Sequence, residues 1–353
     1  MMKMTTMAGA CALLACGAAQ AQSSSVSVYG VADVFAEYGR AGTVVAPVTV
    51  KRVQSGGANG SRLGFRGTED LGGGLQAGFI IEHGLLLDTG NPASGSAFWN
   101  RQSLVSLGGA WGTLSGGRQY SPLLVHQDTF DPAFCTTGYG SAYNSGVIRS
   151  ISRVNNSVLY RSPKFGRVSG SLMVGLGETT SGLRAGSTLS GSAKYADGLL
   201  AAGFAFAKVY KPDATKEDKS IWNIAGSWQL GDFQLMGAVQ GTTNDSQALN
   251  TSDDRSELML GGVYTNGPHE VRASYGQGKV KNVADSTACH YSLGYLYNLS
   301  KRTAVFAVAQ SVDNPGNLAY RASGFTFDAI DGGLPAGAGV NARALAVGLR
   351  TRF

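Results

Sequence analysis

Charge is scarce in this sequence: Asp, Glu, Lys and Arg make up 15% of its 353 residues, against roughly 25% in an ordinary soluble domain. That shortage does not suit a typical cytosolic enzyme. Nine prolines with no Gly-X-Y period exclude a collagen-like chain. Two of the four cysteines fall within the first sixteen residues, leaving Cys135 and Cys289 beyond the N-terminal segment. Two thiols allow one bridge at most and no disulfide framework. His83, His126, His269 and His290 are dispersed, and no H-E-x-x-H or paired-Cys spacing points to a metal. There is no G-x-S-x-G, the run Gly276–Val280 lacks the leading Gly and the Ser/Thr of a phosphate loop, and no helix follows the turn Gly72–Gly74. No catalytic set and no cofactor is implied. The formal charge of +6 is carried by scattered arginines without a basic run, which speaks against nucleic acid as a partner. Beyond the N-terminal segment no stretch approaches the 18 or so apolar residues of a membrane-spanning helix. A membrane β-barrel is untouched by that absence, because its strands alternate apolar and polar positions.

Glycine is what the chain has in excess: 51 residues, about 14%, twice the usual share of roughly 7%. Hydrophobic residues are 43% and the mean hydropathy is −0.02. At the N-terminus Lys3 precedes a short apolar run over Met7–Ala15, and Ala19-Gln20-Ala21 puts small residues at the two positions of a signal-peptide cut. We expect a cleaved signal peptide over residues 1–21 and one domain over 22–353, with the net charge falling to +5. Leu13-Leu14-Ala15-Cys16 approximates a lipoprotein box, a competing reading that the following Ala-Gln-Ala disfavours.

The mature chain alternates with period two along its whole length. Val168, Leu172, Val174 and Leu176 share one face and Ser169, Ser171 and Gly175 the other; Tyr291, Leu293, Tyr295 and Tyr297 repeat the pattern, as do Val271, Ala273 and Tyr275. Small polar residues suit a wet lumen, and tyrosines near strand ends suit an interfacial girdle. Tight turn signals lie near 71–74, 108–112, 163–166, 196–199, 230–232, 266–268 and 299–301, mostly about 32 to 38 residues apart. Each interval holds two strands and a longer loop, so seven turns and two termini enclose eight hairpins, or sixteen antiparallel strands. Two intervals are longer and should carry oversized loops, at Ser121–Ser152 and Asp313–Val340. A secreted two-sheet sandwich also alternates. Unbroken spacing, low charge and an aromatic final residue weigh against it.

Several segments in order resemble the trimeric general porins of Gram-negative outer membranes, most closely those of β-proteobacteria: Ser25–Gly30, Ser61–Phe79, Arg101-Gln with Leu104–Gly109, Gly117–Tyr120, Arg153–Pro163, and a terminal Leu349–Phe353. The resemblance implies a transmembrane barrel whose third external loop folds inward, passive diffusion of small hydrophilic solutes and ions rather than an enzyme, and a homotrimer set in outer-membrane lipid and lipopolysaccharide. It also implies that Phe353 is the signal read by the barrel-assembly machinery. The constriction arginines of the family fall on Arg62, Arg101 and Arg153, with Arg66, Arg118 and Arg149 as further lumen candidates. Alternation agrees for Arg62 and Arg66, which share a strand face away from Leu63 and Phe65; turned toward lipid, each would cost about 2 to 4 kcal/mol.

The segment Ser121–Ser152 matches the infolded loop, and its acids, Asp128 and Asp131, are expected across the pore from the arginines. Three positive charges facing two negative ones predict a mild anion preference. The sequence departs from the family where Val31 replaces a lysine after Tyr-Gly and where Asp131-Pro-Ala-Phe134 stands in place of Pro-Glu-Phe-Gly. Arg149 either adds to the basic side or pairs with Asp128 or Asp131. Two other readings stay open: a solute-specific channel, and an outer-membrane enzyme for which His126 and Asp128 are the only close pair.

Overall fold

The computed structural model describes residues 24–42, 46–133, 138–212, 218–245, 253–316, 318, 320 and 338–353. The expected signal peptide, Cys16, Cys135 and most of the loop after Asp313 lie outside them.

Eighteen strand segments and one helix make up the described chain. They are β1 Ser24–Gly42, β2 Pro47–Ser55, β3 Arg62–Gly72, β4 Leu75–Leu86, β5 Asn91–Pro92, β6 Gln102–Gly109, β7 Gly112–Tyr120, α1 Pro122–Phe130, β8 Arg153–Arg161, β9 Val168–Gly175, β10 Thr188–Ala196, β11 Leu200–Val209, β12 Lys219–Leu230, β13 Phe233–Asp245, β14 Asp253–Asn266, β15 His269–Val280, β16 Thr287–Asn298, β17 Thr303–Asp313 and β18 Ala342–Arg352. β1 pairs along its outer half with β2 and along its inner half with β3, so these two segments form one wall strand interrupted at residues 56–61. β5 is a two-residue flap on β4. The wall therefore has sixteen antiparallel strands, and β1 pairing with β18 from Val31–Arg352 to Arg40–Arg343 closes it. Closure leaves no strand edge in lipid, which lets a sheet span a bilayer.

All seven expected turns join wall strands at one rim. In the first, Gly72, Gly73 and Gly74 all have positive φ, 81°, 62° and 81°, a conformation a side chain would resist. Outward positions are apolar and exposed, among them Val26, Val28, Val105, Leu172, Leu293 and Val347. The large buried side chains instead lie inside the barrel, where Phe35 and Phe306 of the wall pack with Phe130, Tyr139, Tyr143, Val147 and Ile148 of the long loop. An inward loop gives this barrel a partial core.

The final residue fastens the seam. Gly30 and Phe353 exchange backbone hydrogen bonds of 3.0 and 3.2 Å, and the Phe353 ring lies against Gly30 where any Cβ would collide with it.

Candidate functional site

The third external loop leaves the wall after Tyr120 and returns at Arg153, with Ser121 N–H bonded to the Ser152 carbonyl at its neck. Ser121 caps α1 by accepting from Leu124 N–H at 3.0 Å, and Pro122 opens the first turn. One face of α1 seats on the wall: Leu123 packs among Ala205, Ala207 and Ile221, His126 bonds Asn223 at 2.9 Å, and Gln127 donates to Gln240 at 2.7 Å. The other face leaves Val125, Asp128 and Thr129 open to the lumen, as spacing of three and four residues on a helix requires.

Beyond the helix the loop crosses to the closing seam. Tyr139 O–H donates to Glu37 at 2.8 Å, its N–H bonds Gly57 O of the interruption between β2 and β3, and its ring meets Phe35 edge-on. That interruption is itself pinned by Asp33, which accepts from Gly57 and Asn59 N–H at 2.8 Å each. The returning arm is held by Arg255, donating to Val147 O, and by Glu257, accepting from Arg149 N–H at 3.0 Å. The loop is thus stapled from β10 round to β1, and free lumen is left on the side of β3 to β8.

Arginines gather on that free side. Glu82 of β4 sits at the centre, accepting from Arg101 Nε at 2.7 Å and from Tyr29 O–H at 3.0 Å, with Arg62 Nε at 3.5 Å. Arg101 also donates to Tyr120 O–H at 2.7 Å; Arg153 reaches the same hydroxyl at 3.2 Å and lies over the ring at 4.8 Å. Arg62, Arg101 and Arg153 are therefore brought together through one buried acid and one tyrosine. Three guanidiniums and one carboxylate leave this wall with a net charge of +2.

The remaining candidates divide. Arg66 is exposed on the inward row below Arg62, its guanidinium 5.0 Å from the Tyr29 ring. Arg118 departs from the lumen expectation: register pairs it with Ser103, on the face opposite buried Ser115 and Gln119, and Asn100 O and Asn155 hold it. Arg149 donates to Gly146 O at 3.1 Å and lies over the Tyr320 ring at 5.6 Å. Asp131 does not face the pore as expected. It is buried, accepting from Ser141 O–H at 2.6 Å and Ala133 N–H at 2.9 Å, and burial pushes its carboxyl up to about 6. His126 and Asp128 point to different faces of α1, and burial pulls the imidazole down to about 4.

Sequence reasoning missed Glu82 and Tyr120. Tyr120 ends a segment already singled out, and a carboxylate at Glu82, inside an otherwise alternating strand, was the available signal for an inward ion pair.

With this geometry in view, comparison decides the family: residues 6–317 match the Gram-negative porins. The chain belongs to that family. The porin is 33% identical over 319 residues to outer membrane porin protein 32 of Delftia acidovorans, covering 87% of this chain and 86% of that one. It is 28% identical to an outer membrane porin protein of Bordetella pertussis, over 88% of this chain and 70% of the relative. Among solved structures, the anion-selective porin from Comamonas acidovorans superposes with a TM-score of 0.78 at 28% identity, over 94% of this chain and all of that one. The porin is an outer-membrane channel protein, its relatives and its fold being those of channels rather than enzymes.

Proposed function

We propose that this porin is a general diffusion channel with a mild anion preference, selected where solute passes between the Arg62–Arg101–Arg153 cluster and the open face of α1. The observation that carries the reading is the joining of the three arginines around Glu82 and Tyr120 on the wall left uncovered by the loop. An excess of fixed positive charge beside a wet constriction attracts anions, and the facing Asp128 adds a transverse field that favours small polar solutes over apolar ones. The anion selectivity named for the Comamonas structure supports this assignment by similarity.

The same reading has the porin made with a cleaved signal over residues 1–21 and assembled as a homotrimer in outer-membrane lipid and lipopolysaccharide. The exposed apolar rows of the first strands and of the last, β18, suit the contact between copies, latched by the second external loop around Asp88–Ala97. Phe353 serves as the barrel-assembly signal. Liposome swelling with sugars of increasing size tests the diffusion channel: flux should fall smoothly with size and not saturate with concentration. Saturating flux for one solute would replace this reading with a solute-specific channel.

A further inference from the structure

A second group of cations stands inside the barrel at its closing seam. On β18, Arg350 and Arg352 share the face of Ala346 and Gly348, opposite the exposed Leu345, Val347 and Leu349. A Cβ on Gly348 would strike Phe306 and Phe35 of the inner core, so this face looks into the lumen. Register sets Arg350 beside Asp33 and Arg352 beside Val31, whose other neighbour is Arg62. Height is fixed from both sides. Arg272, a charged neighbour of Arg350, holds the infolded loop at Pro132 O and Ala133 O, and Arg352 N–H bonds Arg302 O beside the last short turn. The two arginines of the seam therefore lie between the loop and the rim of short turns.

Asn59, in the interruption between β2 and β3, reaches across β1 to both of them. Its Oδ1 accepts from Arg350 Nη1 at 3.2 Å and from Arg352 Nη2 at 3.0 Å. Two donors fix the amide this way round, which leaves Nδ2 as a donor with no hydrogen-bond partner among the described residues. Arg350 is only 8% exposed, yet neither it nor the exposed Arg352 has an ion pair among the described residues. Arginine is almost never buried so far without one. The charged groups acting on Arg350 are Arg352, Asp33, Glu270 and Arg272. Asp33 is occupied by the Gly57 and Asn59 N–H groups at 2.8 Å each, and Glu270 is held by Arg272 at 2.7 Å. Two guanidiniums against the one carboxylate of Asp33 leave the seam at +1, with Arg62 farther along the same row.

What faces the lumen here is a guanidinium fork on Arg352 and an amide donor on Asn59, with the buried charge of Arg350 behind them. A planar carboxylate has two oxygens, and the fork fills both. A phosphate group has a third oxygen for the amide. We propose that Arg352 and Asn59 bind the phosphate group of a passing solute, either inorganic phosphate or a small phosphate monoester. Arg350 is a positioning residue that orients Asn59 through Oδ1 and adds charge. The inference rests on solute passing through this lumen, but binding is read without conduction, so its failure is separate from a failure of pore selectivity.

The test uses the full-length folded protein in detergent and follows the width of the phosphorus resonance of inorganic phosphate, or of glucose 6-phosphate, as protein is added. Every variant is made on Arg62→Gln/Arg101→Gln/Arg153→Gln, so that the constriction arginines cannot hold the probe, and folding is checked by heat-modifiable gel mobility. That parent protein should still broaden the resonance in a saturable way. Arg352→Gln should weaken binding by about tenfold or more, the loss of a bidentate charge-assisted contact. Asn59→Asp still accepts from both guanidiniums but adds a negative charge, and it should weaken binding at least as much. Arg352→Lys keeps the charge without the fork and should fall between Arg352→Gln and the parent. Lys164→Gln, at a short turn far from the seam, should change nothing. Broadening of both probes supports a site open to an ester; broadening of inorganic phosphate alone supports the free ion as its occupant. No saturable broadening by the parent overturns the proposal, as does unchanged affinity in Arg352→Gln. Acetate displacing phosphate at equal concentration overturns it too, and so does an equal loss in Lys164→Gln, which would assign the effect to overall charge.

Discussion

Acid should leave the seating of the infolded loop almost unchanged in the wild type and should loosen it in Asp131→Asn. Two buried groups with opposite linkage produce this balance. His126 sits against Asn223 with Lys194 nearby, and burial lowers it from 6.5 to about 4. The seated loop thus holds fewer protons than the released loop between those values, and seating weakens as pH falls through that window, by about 3 kcal/mol in all. Asp131, with Asp128 and Arg272 as charged neighbours, is raised from 3.8 to about 6. Its sign is opposite: the seated loop takes up the proton first, and seating strengthens by about 3 kcal/mol as pH falls from 6 toward 4. In Asp131→Asn only the protonation of His126 still acts on the loop, so acidification to pH 4 should cost the full amount. The amide still accepts from Ala133 N–H and can donate to the Ser141 hydroxyl, which keeps the site filled. The assay is open-channel noise in a planar bilayer together with limited proteolysis of the loop, at pH 7 and pH 4. Wild type should change little, and the variant should flicker and be cut. A variant as quiet and resistant at pH 4 as at pH 7 would refute the reasoning.

Other expectations follow from single contacts. Tyr139→Phe removes a buried hydrogen bond to a carboxylate, about 1.5 to 3 kcal/mol of loop anchoring, and should raise conductance and its variance. Glu82→Gln takes the negative charge from the arginine cluster; reversal potentials should shift further toward the anion, while the melting temperature falls because Arg101 loses its charge partner, a break worth about 3 to 5 kcal/mol. Gly30→Ala puts a methyl group where the Phe353 ring lies and should lower the yield of folded barrel, read from heat-modifiable gel mobility. Glu37→Gln should weaken both the 2.6 Å contact with Arg52 and the anchor of Tyr139, and it should mimic Tyr139→Phe in the bilayer.

The wall was legible because lipid and water impose opposite chemistry on successive residues, a constraint that repeats along every strand and survives in one dimension. Turn positions were legible for a related reason: glycines and short polar runs mark where the chain must reverse. The interruption between β2 and β3 was not, since Gly56-Gly57 and Asn59-Gly60 read as ordinary turn residues, whereas their fold depends on Asp33, more than twenty positions away. Asp128 and Asp131 look equivalent as letters. The end of α1 separates them, exposing one on the free face and turning the other into the packed loop. The partnership of Glu82 with Arg62 and Arg101 arises from strand register and a bent chain after β5, which alternation alone does not encode.

Three arginines joined on the uncovered wall set the preference of the pore. Reversal potential under a potassium chloride gradient, measured on single channels of the wild type and of Arg62→Gln/Arg101→Gln/Arg153→Gln, tests it most directly. The wild type should show a modest anion preference that disappears or reverses in the variant while the channel still conducts. An unchanged reversal potential in a folded, conducting variant would contradict it.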